Sequence, residues 1–154
     1  MVPDRIEREV LINAPVEIVW SIVSEPEHVA RWLSDSAAID ARPDGELTIA
    51  WEDYGAARGR VERIEPPHLL AFRWMSPTRA RDAVVEIREE NSTLVEFRLS
   101  AAGEGTRLCV VESGFAGLEG SDEANASNAE SHVSGWADHL DELVDYAAQV
   151  RASV

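Results

Sequence analysis

The stretch Ile12–Trp32, INAPVEIVWSIVSEPEHVARW, joins the end of a strand to two short helices and closes on a tryptophan. Just before it, Ile6, Val10 and Ile12 recur on even positions with Arg8 interrupting, the alternation of a strand with one buried face. Asn13 is placed to cap a helix, with Pro15 near its first turn, where a missing N–H costs nothing. Val16, Val19, Trp20 and Val23 then fall at helical spacing and predict a narrow buried stripe. A second helix follows at once. Ser24 or Glu25 precedes Pro26, and Val29, Trp32 and Leu33 form its apolar side before Ser34-Asp35-Ser36 breaks the pattern.

Working outward, the middle of the chain reads as strands. Ala38 to Ala41 leads into the turn signal Pro43-Asp44-Gly45, after which Leu47, Ile49 and Trp51 alternate with polar or small residues. Asp53-Tyr54-Gly55 turns the chain again, and Gly59 to Glu65 forms a strand that Pro66-Pro67 ends. Leu70, Phe72 and Trp74 share one strand face, and Val95, Phe97 and Leu99 another. Gly103-Glu104-Gly105 turns into a strand over Thr106 to Ser113, which brings the total to about seven. Between them, Ser76 to Glu90 is a long connection in which Val84, Val85 and Ile87 could extend a strand. It reads as an exposed charged loop, or as a lid carrying Arg79 and Arg81 over a cavity.

A last helix starts near Ser121 or Asp122. Val133, Trp136, Leu140, Leu143, Val144 and Ala147 trace one of its faces. Gly135 weakens it locally by about 1 kcal/mol relative to alanine and permits a bend or a close approach. Strands in consecutive hairpins with helices at both ends argue for an antiparallel α+β domain rather than a doubly wound sheet.

At 154 residues and 45% apolar content the chain suits one compact domain, residues 1–154. No apolar run is long enough to cross a membrane, and the N-terminal MVPDRIERE has no signal-peptide centre, so a soluble cytoplasmic protein is expected. The formal charge of −15 repels phosphate backbones and anionic lipid, which argues against nucleic-acid and membrane partners. All 14 basic residues are arginine, so lysine Schiff-base chemistry is closed to this chain. The single cysteine, Cys109, reads as a small buried strand residue.

The opening block, the pair Pro66-Pro67 followed by Phe72 and Trp74, GTRLCVVESGF at Gly105–Phe115, and GWADHLDEL at Gly135–Leu143 together cover nearly the whole chain. In this order they resemble the AHSA1-type branch (activator of Hsp90 ATPase homologue 1-like) of the SRPBCC, or START/Bet v 1-like, superfamily. The resemblance implies a helix-grip fold: a curved antiparallel sheet wrapped around a long C-terminal helix, with two short helices after the first strand. It also implies a cavity between that helix and the concave sheet face, of the kind that receives hydrophobic or amphipathic small molecules in the superfamily. The expected lining is Trp51, Phe72, Trp74, Phe97 and Trp136, with Tyr54 and His132 as polar contacts.

Catalytic machinery is not announced. His28, His68, His132 and His139 are scattered, and only His132 and His139 share a helical side, two turns apart, a poor metal pair. No GxSxG, P-loop or GxGxxG pattern occurs, so no cofactor and no metal are implied. Binding or carriage of a small molecule is therefore the expected activity. The alternatives are a cyclase- or hydratase-like enzyme in the same cavity, with His132 as acid or base beside Asp53, Tyr54 or Arg60, or a co-chaperone-like interaction domain. The proteins that gave the family its name reach the chaperone through an additional N-terminal domain that does not fit into 154 residues, which weakens the last alternative. An exposed edge strand leaves room for a homodimer.

Overall fold

The computed structural model describes residues 2–81 and 86–153, except for the side chain of Arg81. The strands are β1 (Arg5–Ile12), β2 (Ser36–Ile39), β3 (Glu46–Trp51), β4 (Gly55–Glu65), β5 (Leu69–Met75), β6 (Thr93–Ala102) and β7 (Gly105–Ser113). The helices are α1 (Val16–Ser24), α2 (Pro26–Trp32) and α3 (Asp122–Ala152). All seven strands form one antiparallel sheet in the order β1-β7-β6-β5-β4-β3-β2, with the first strand closing back on the last. The long α3 packs against β1, α1 and α2, so the expected helix-grip architecture is the one observed.

The interior phase of each strand supplies the core. Ile6 and Ile12, Leu47 and Ile49, Leu70 and Phe72, Val95, Phe97 and Leu99, and Leu108 and Val110 are all buried. Their alternation follows from the two-residue period of a strand that covers a core on one side. Trp32, at the end of the opening block, is almost wholly buried and donates its indole N–H to the Ile22 carbonyl at 2.9 Å, locking α2 onto α1. Thr106 Oγ1 donates to the Ala14 carbonyl at 2.8 Å and ties β7 to the β1–α1 junction.

The sheet bends where side chains are withheld. A Cβ at Gly59, in the middle of β4, would stand 2.3 Å from the Arg73 carbonyl oxygen and 3.1 Å from Leu47, so only glycine lets these strands approach. A register shift between Val61 and Arg63 adds to the curvature. Gly114, at φ 100°, turns the chain sharply out of β7.

Several local expectations are corrected. Asn13 is not the helix cap: Pro15 occupies that position, and its carbonyl accepts from Ile18 and Val19 at 3.0 and 3.1 Å. Pro15 is already in an extended conformation with the φ its ring demands, so the helix begins one residue later. Asn13 instead receives Arg151 on its backbone carbonyl at 3.0 Å and on its side-chain oxygen. Strand β2 begins at Ser36, two residues before Ala38, because Ser36 pairs with Ala50 of β3, and β4 begins at Gly55 rather than Gly59. Cys109 is half-buried beside Glu7, its Sγ 3.7 Å from Oε1; burial first, then the Glu7 charge, push its thiol up. On α3, Val133 is 36% exposed, because the buried stripe runs through Asn125, Ala129, Trp136, Leu140, Leu143 and Ala147 and leaves Val133 on its flank. In the β5–β6 connection, Arg79–Arg81 and Glu89–Asn91 form single 3-10 turns, while Val84 and Val85 lie outside the described residues.

Candidate functional site

A cleft of about 720 Å³ opens between α3 and the sheet. Its walls include Leu33, Trp51, Ala57, Trp74, Thr93, Leu118 and Trp136, and its polar lining includes Ser76, Thr78, Arg79, Asn128, Ser131, His132, Asp138, His139 and Glu142. Helix α3 divides its labour. One stripe, from Asn125 to Ala147, is buried in the core, and the neighbouring stripe of Asn128, Ser131, Gly135, Asp138, His139 and Glu142 faces the cleft. Gly135 makes part of the opening: a Cβ there would meet no heavy atom within 4 Å.

Behind the cleft wall lies a buried carboxylate. Glu112, near the end of β7, has no exposed surface and accepts four hydrogen bonds. Oε1 takes Trp136 Nε1 at 2.8 Å and His132 Nδ1 at 2.6 Å, and Oε2 takes Trp74 Nε1 at 2.9 Å and Thr93 Oγ1 at 2.6 Å. The four donors come from β5, β6 and α3, so one side chain fastens the helix to the sheet. Burial alone pushes the Glu112 carboxyl up. The hydrogen bond of His132 and, when its ring is protonated, its charge, then the bonds from Thr93 and Trp74, outweigh that and hold it below the usual carboxylate range. An ionised carboxylate can only accept, so His132 carries its hydrogen on Nδ1. The imidazole is held edge-on by Phe115 and Trp74, with ring centroids 5.3 and 6.3 Å away.

This arrangement decides what the tryptophans can offer a ligand. The indole N–H of Trp51 goes to the Leu33 carbonyl at 2.9 Å, and those of Trp74 and Trp136 go to Glu112. What remains toward the cleft is carbon and π surface, with Trp74 and Trp136 stacked at 6.1 Å and 24°. The Thr93 and Ser92 hydroxyls are likewise committed, to Glu112 and to the Arg88 carbonyl. Polar recognition falls to His132, Arg79 and the small polar residues of the rim. Arg79 is tied back by donating to the Glu119 carbonyl.

Of the seven residues expected to line a site, five border this cleft: Trp51, Trp74, His132 and Trp136 on its walls, and Tyr54, 77% exposed, at its mouth. Phe72 and Phe97 lie beneath them in the core, packed edge-on to Trp74 and Trp136 at 5.4 and 5.9 Å. Asp53 and Arg60 do not border the cleft; Arg60 is paired with Glu62 at 2.9 Å. His139 does, with Nδ1 3.8 Å from Glu142 Oε2, beyond hydrogen-bond reach. The partner of His132 is Glu112, which stands in the sequence only as part of the GTRLCVVESGF block. A signal was present. Thr106, Leu108, Val110 and Glu112 share one strand phase, and an acid in register with core residues needs buried donors.

Solved structures with the same fold include MLL2253 from Mesorhizobium loti, at 19% identity and a TM-score of 0.77, over 94% of this chain and 97% of that one. DynU16, described as a putative protein in the dynemicin biosynthetic locus, is 23% identical with a TM-score of 0.73; 97% of this chain covers 49% of it. CalU16 from Micromonospora echinospora is 26% identical with a TM-score of 0.65, over 92% of this chain and 73% of that one. None of the curated proteins matches this sequence. Residues 13–148, from the first helix through most of α3, match the sequence profile of the activator of Hsp90 ATPase homolog 1-like family, and the chain belongs to that family.

Proposed function

We propose that this protein binds a neutral, hydrophobic or amphipathic small molecule in the cleft between α3 and the sheet. The observation that carries the reading is the cleft itself: about 720 Å³ walled by three tryptophans whose N–H groups are all committed elsewhere. Such walls supply apolar contact, and a few polar atoms at the edge orient what is bound. Among the described residues Asp138 and Glu142 border the cleft against one arginine, Arg79, and the chain carries −15 overall, which disfavours an anionic ligand. The similarity to a protein of a biosynthetic locus, DynU16, supports a ligand of metabolic origin.

The test is thermal shift and tryptophan fluorescence against a panel of aromatic and aliphatic metabolites, comparing wild type with Gly135→Leu. A ligand that binds only the folded protein raises its melting temperature with saturation. A leucine at 135 projects into open space and removes room without disturbing the core. A saturable hit that Gly135→Leu abolishes supports the reading, and one it leaves untouched refutes it. Trp136→Ala is the poorer control, since it also strips a donor from the buried Glu112.

A further inference from the structure

We infer that Glu112 and His132 form a base dyad in the cleft, in which His132 Nε2 removes a proton from a flat, neutral carbon or oxygen acid held against the tryptophans. This rests on the binding reading above and adds chemistry to it. A buried carboxylate needs donors, and Trp74, Trp136 and Thr93 already provide three. His132 is the fourth, and it alone has a second nitrogen to present. Its side chain borders the cleft and is 23% exposed, and Nε2 makes no hydrogen bond among the described residues. With Nδ1 donating to Glu112 at 2.6 Å, the lone pair of the neutral ring is on Nε2. A carboxylate behind an imidazole fixes the tautomer and stabilises the cation that forms when the far nitrogen takes a proton.

The substrate class follows from the walls. Indole carbon of Trp51 and the small exposed parts of Trp74 and Trp136 favour a flat, apolar molecule, and the carboxylates of Asp138 and Glu142 favour one without negative charge. In the step, the substrate C–H or O–H bond breaks and its electron pair stays on the substrate. The proton forms a bond to Nε2, and Glu112 keeps its charge and takes no proton. The substrate anion then either expels a leaving group, which carries the proton away from Nε2 directly or through water, or recovers that proton from Nε2 at another atom, so no other reactant is needed. His132 is the catalytic residue and Glu112 a positioning residue.

The probe is 5-nitrobenzisoxazole, a flat neutral carbon acid. Loss of its C3 proton breaks the N–O bond, turns C=N into a nitrile and releases a coloured phenolate with the electron pair. 1-Methyl-5-nitrobenzotriazole, of similar shape, has neither that proton nor an ionisable N–H, and its binding is read by tryptophan fluorescence. The expected result is ring opening faster than with equimolar free imidazole, falling by about 100-fold or more in His132→Ala while the triazole still binds. In Glu112→Gln the amide N–H faces Nδ1, the ring hydrogen moves to Nε2, and ring opening falls likewise. Nitrogen-15 NMR of the His132 ring in the wild type reads the tautomer directly, whether or not the Gln variant folds. Equal rates in wild type and His132→Ala with the triazole bound would overturn the dyad and leave the cleft reading standing, as would an Nε2–H tautomer in the wild type. No binding of the triazole would overturn the flat-ligand cleft and the dyad with it.

Discussion

Replacing Glu112 by glutamine keeps the size of the side chain and changes only what it can accept. The wild-type carboxylate satisfies four buried or half-buried donors, at 2.6, 2.6, 2.8 and 2.9 Å. The glutamine oxygen can accept two of them at best, and its NH2 group is forced against the rest. The ring of His132 can answer by presenting a lone pair to the amide, which leaves one or two donors without an acceptor. Each buried polar group stranded in this way costs about 1–3 kcal/mol, and the bonds that are kept lose the charge that strengthened them, so the variant should lose about 2–5 kcal/mol in all. For a domain of this size each kcal/mol moves the melting temperature by about 2–4 °C, giving a drop of roughly 4–20 °C by calorimetry. Urea unfolding should show the same loss as a lower midpoint with an unchanged slope. A Glu112→Gln protein within about 1 kcal/mol of wild type would refute the claim that this carboxylate fastens α3 to the sheet.

The same pair of proteins should differ with pH. The Glu112 carboxyl titrates lower in the folded than in the unfolded chain, so its contribution is full above the unfolded value of about 4.3 and is lost as pH falls through the lower folded value. The gap between wild-type and Glu112→Gln stability, followed by urea midpoints from neutral into acid, should therefore close only below that range. Gly135→Ala should raise stability by about 1 kcal/mol, because its Cβ meets nothing, and a lower melting temperature would show that the position is packed. Tyr146→Phe removes the 2.6 Å hydrogen bond to His28 Nδ1 between α3 and α2 and should cost about 1 kcal/mol, read as a lower urea midpoint with ligand binding unchanged.

Much of the fold was legible because its signals are local. The two short helices announce themselves by Pro15, Pro26 and their apolar spacing, β3 and β6 by a two-residue period, and β5 by the alternation of its larger side chains Leu70, Phe72 and Trp74. At Asn13 a capping side chain and a proline two residues later both mark a helix start, and only the backbone decides between them. The site was half legible. Trp51, Trp74 and Trp136 stood out by size, but size does not separate a wall from a floor, and Phe72 and Phe97 proved to be floor. The Glu112 cluster was hidden for another reason. Its donors lie 19 to 38 residues away in sequence and meet only through the register of β5, β6 and β7 and the rotation of α3. Local pattern could have flagged Glu112 as an acid in a buried phase; it could not have named the histidine behind it.

The two adjacent stripes of α3 bear on how such a protein can diversify. Residues that hold the helix to the sheet and residues that border the cleft alternate along one element without sharing positions, apart from His132 and Trp136. Drift at Asn128, Ser131, Gly135, His139 or Glu142 can therefore reshape what the cleft admits while the anchoring stripe, and with it the folded state, goes unchanged. Relatives that keep the anchoring stripe and exchange the other would share a scaffold and differ in diet, and grafting the residues of that second stripe from one helix to another should carry the preference across.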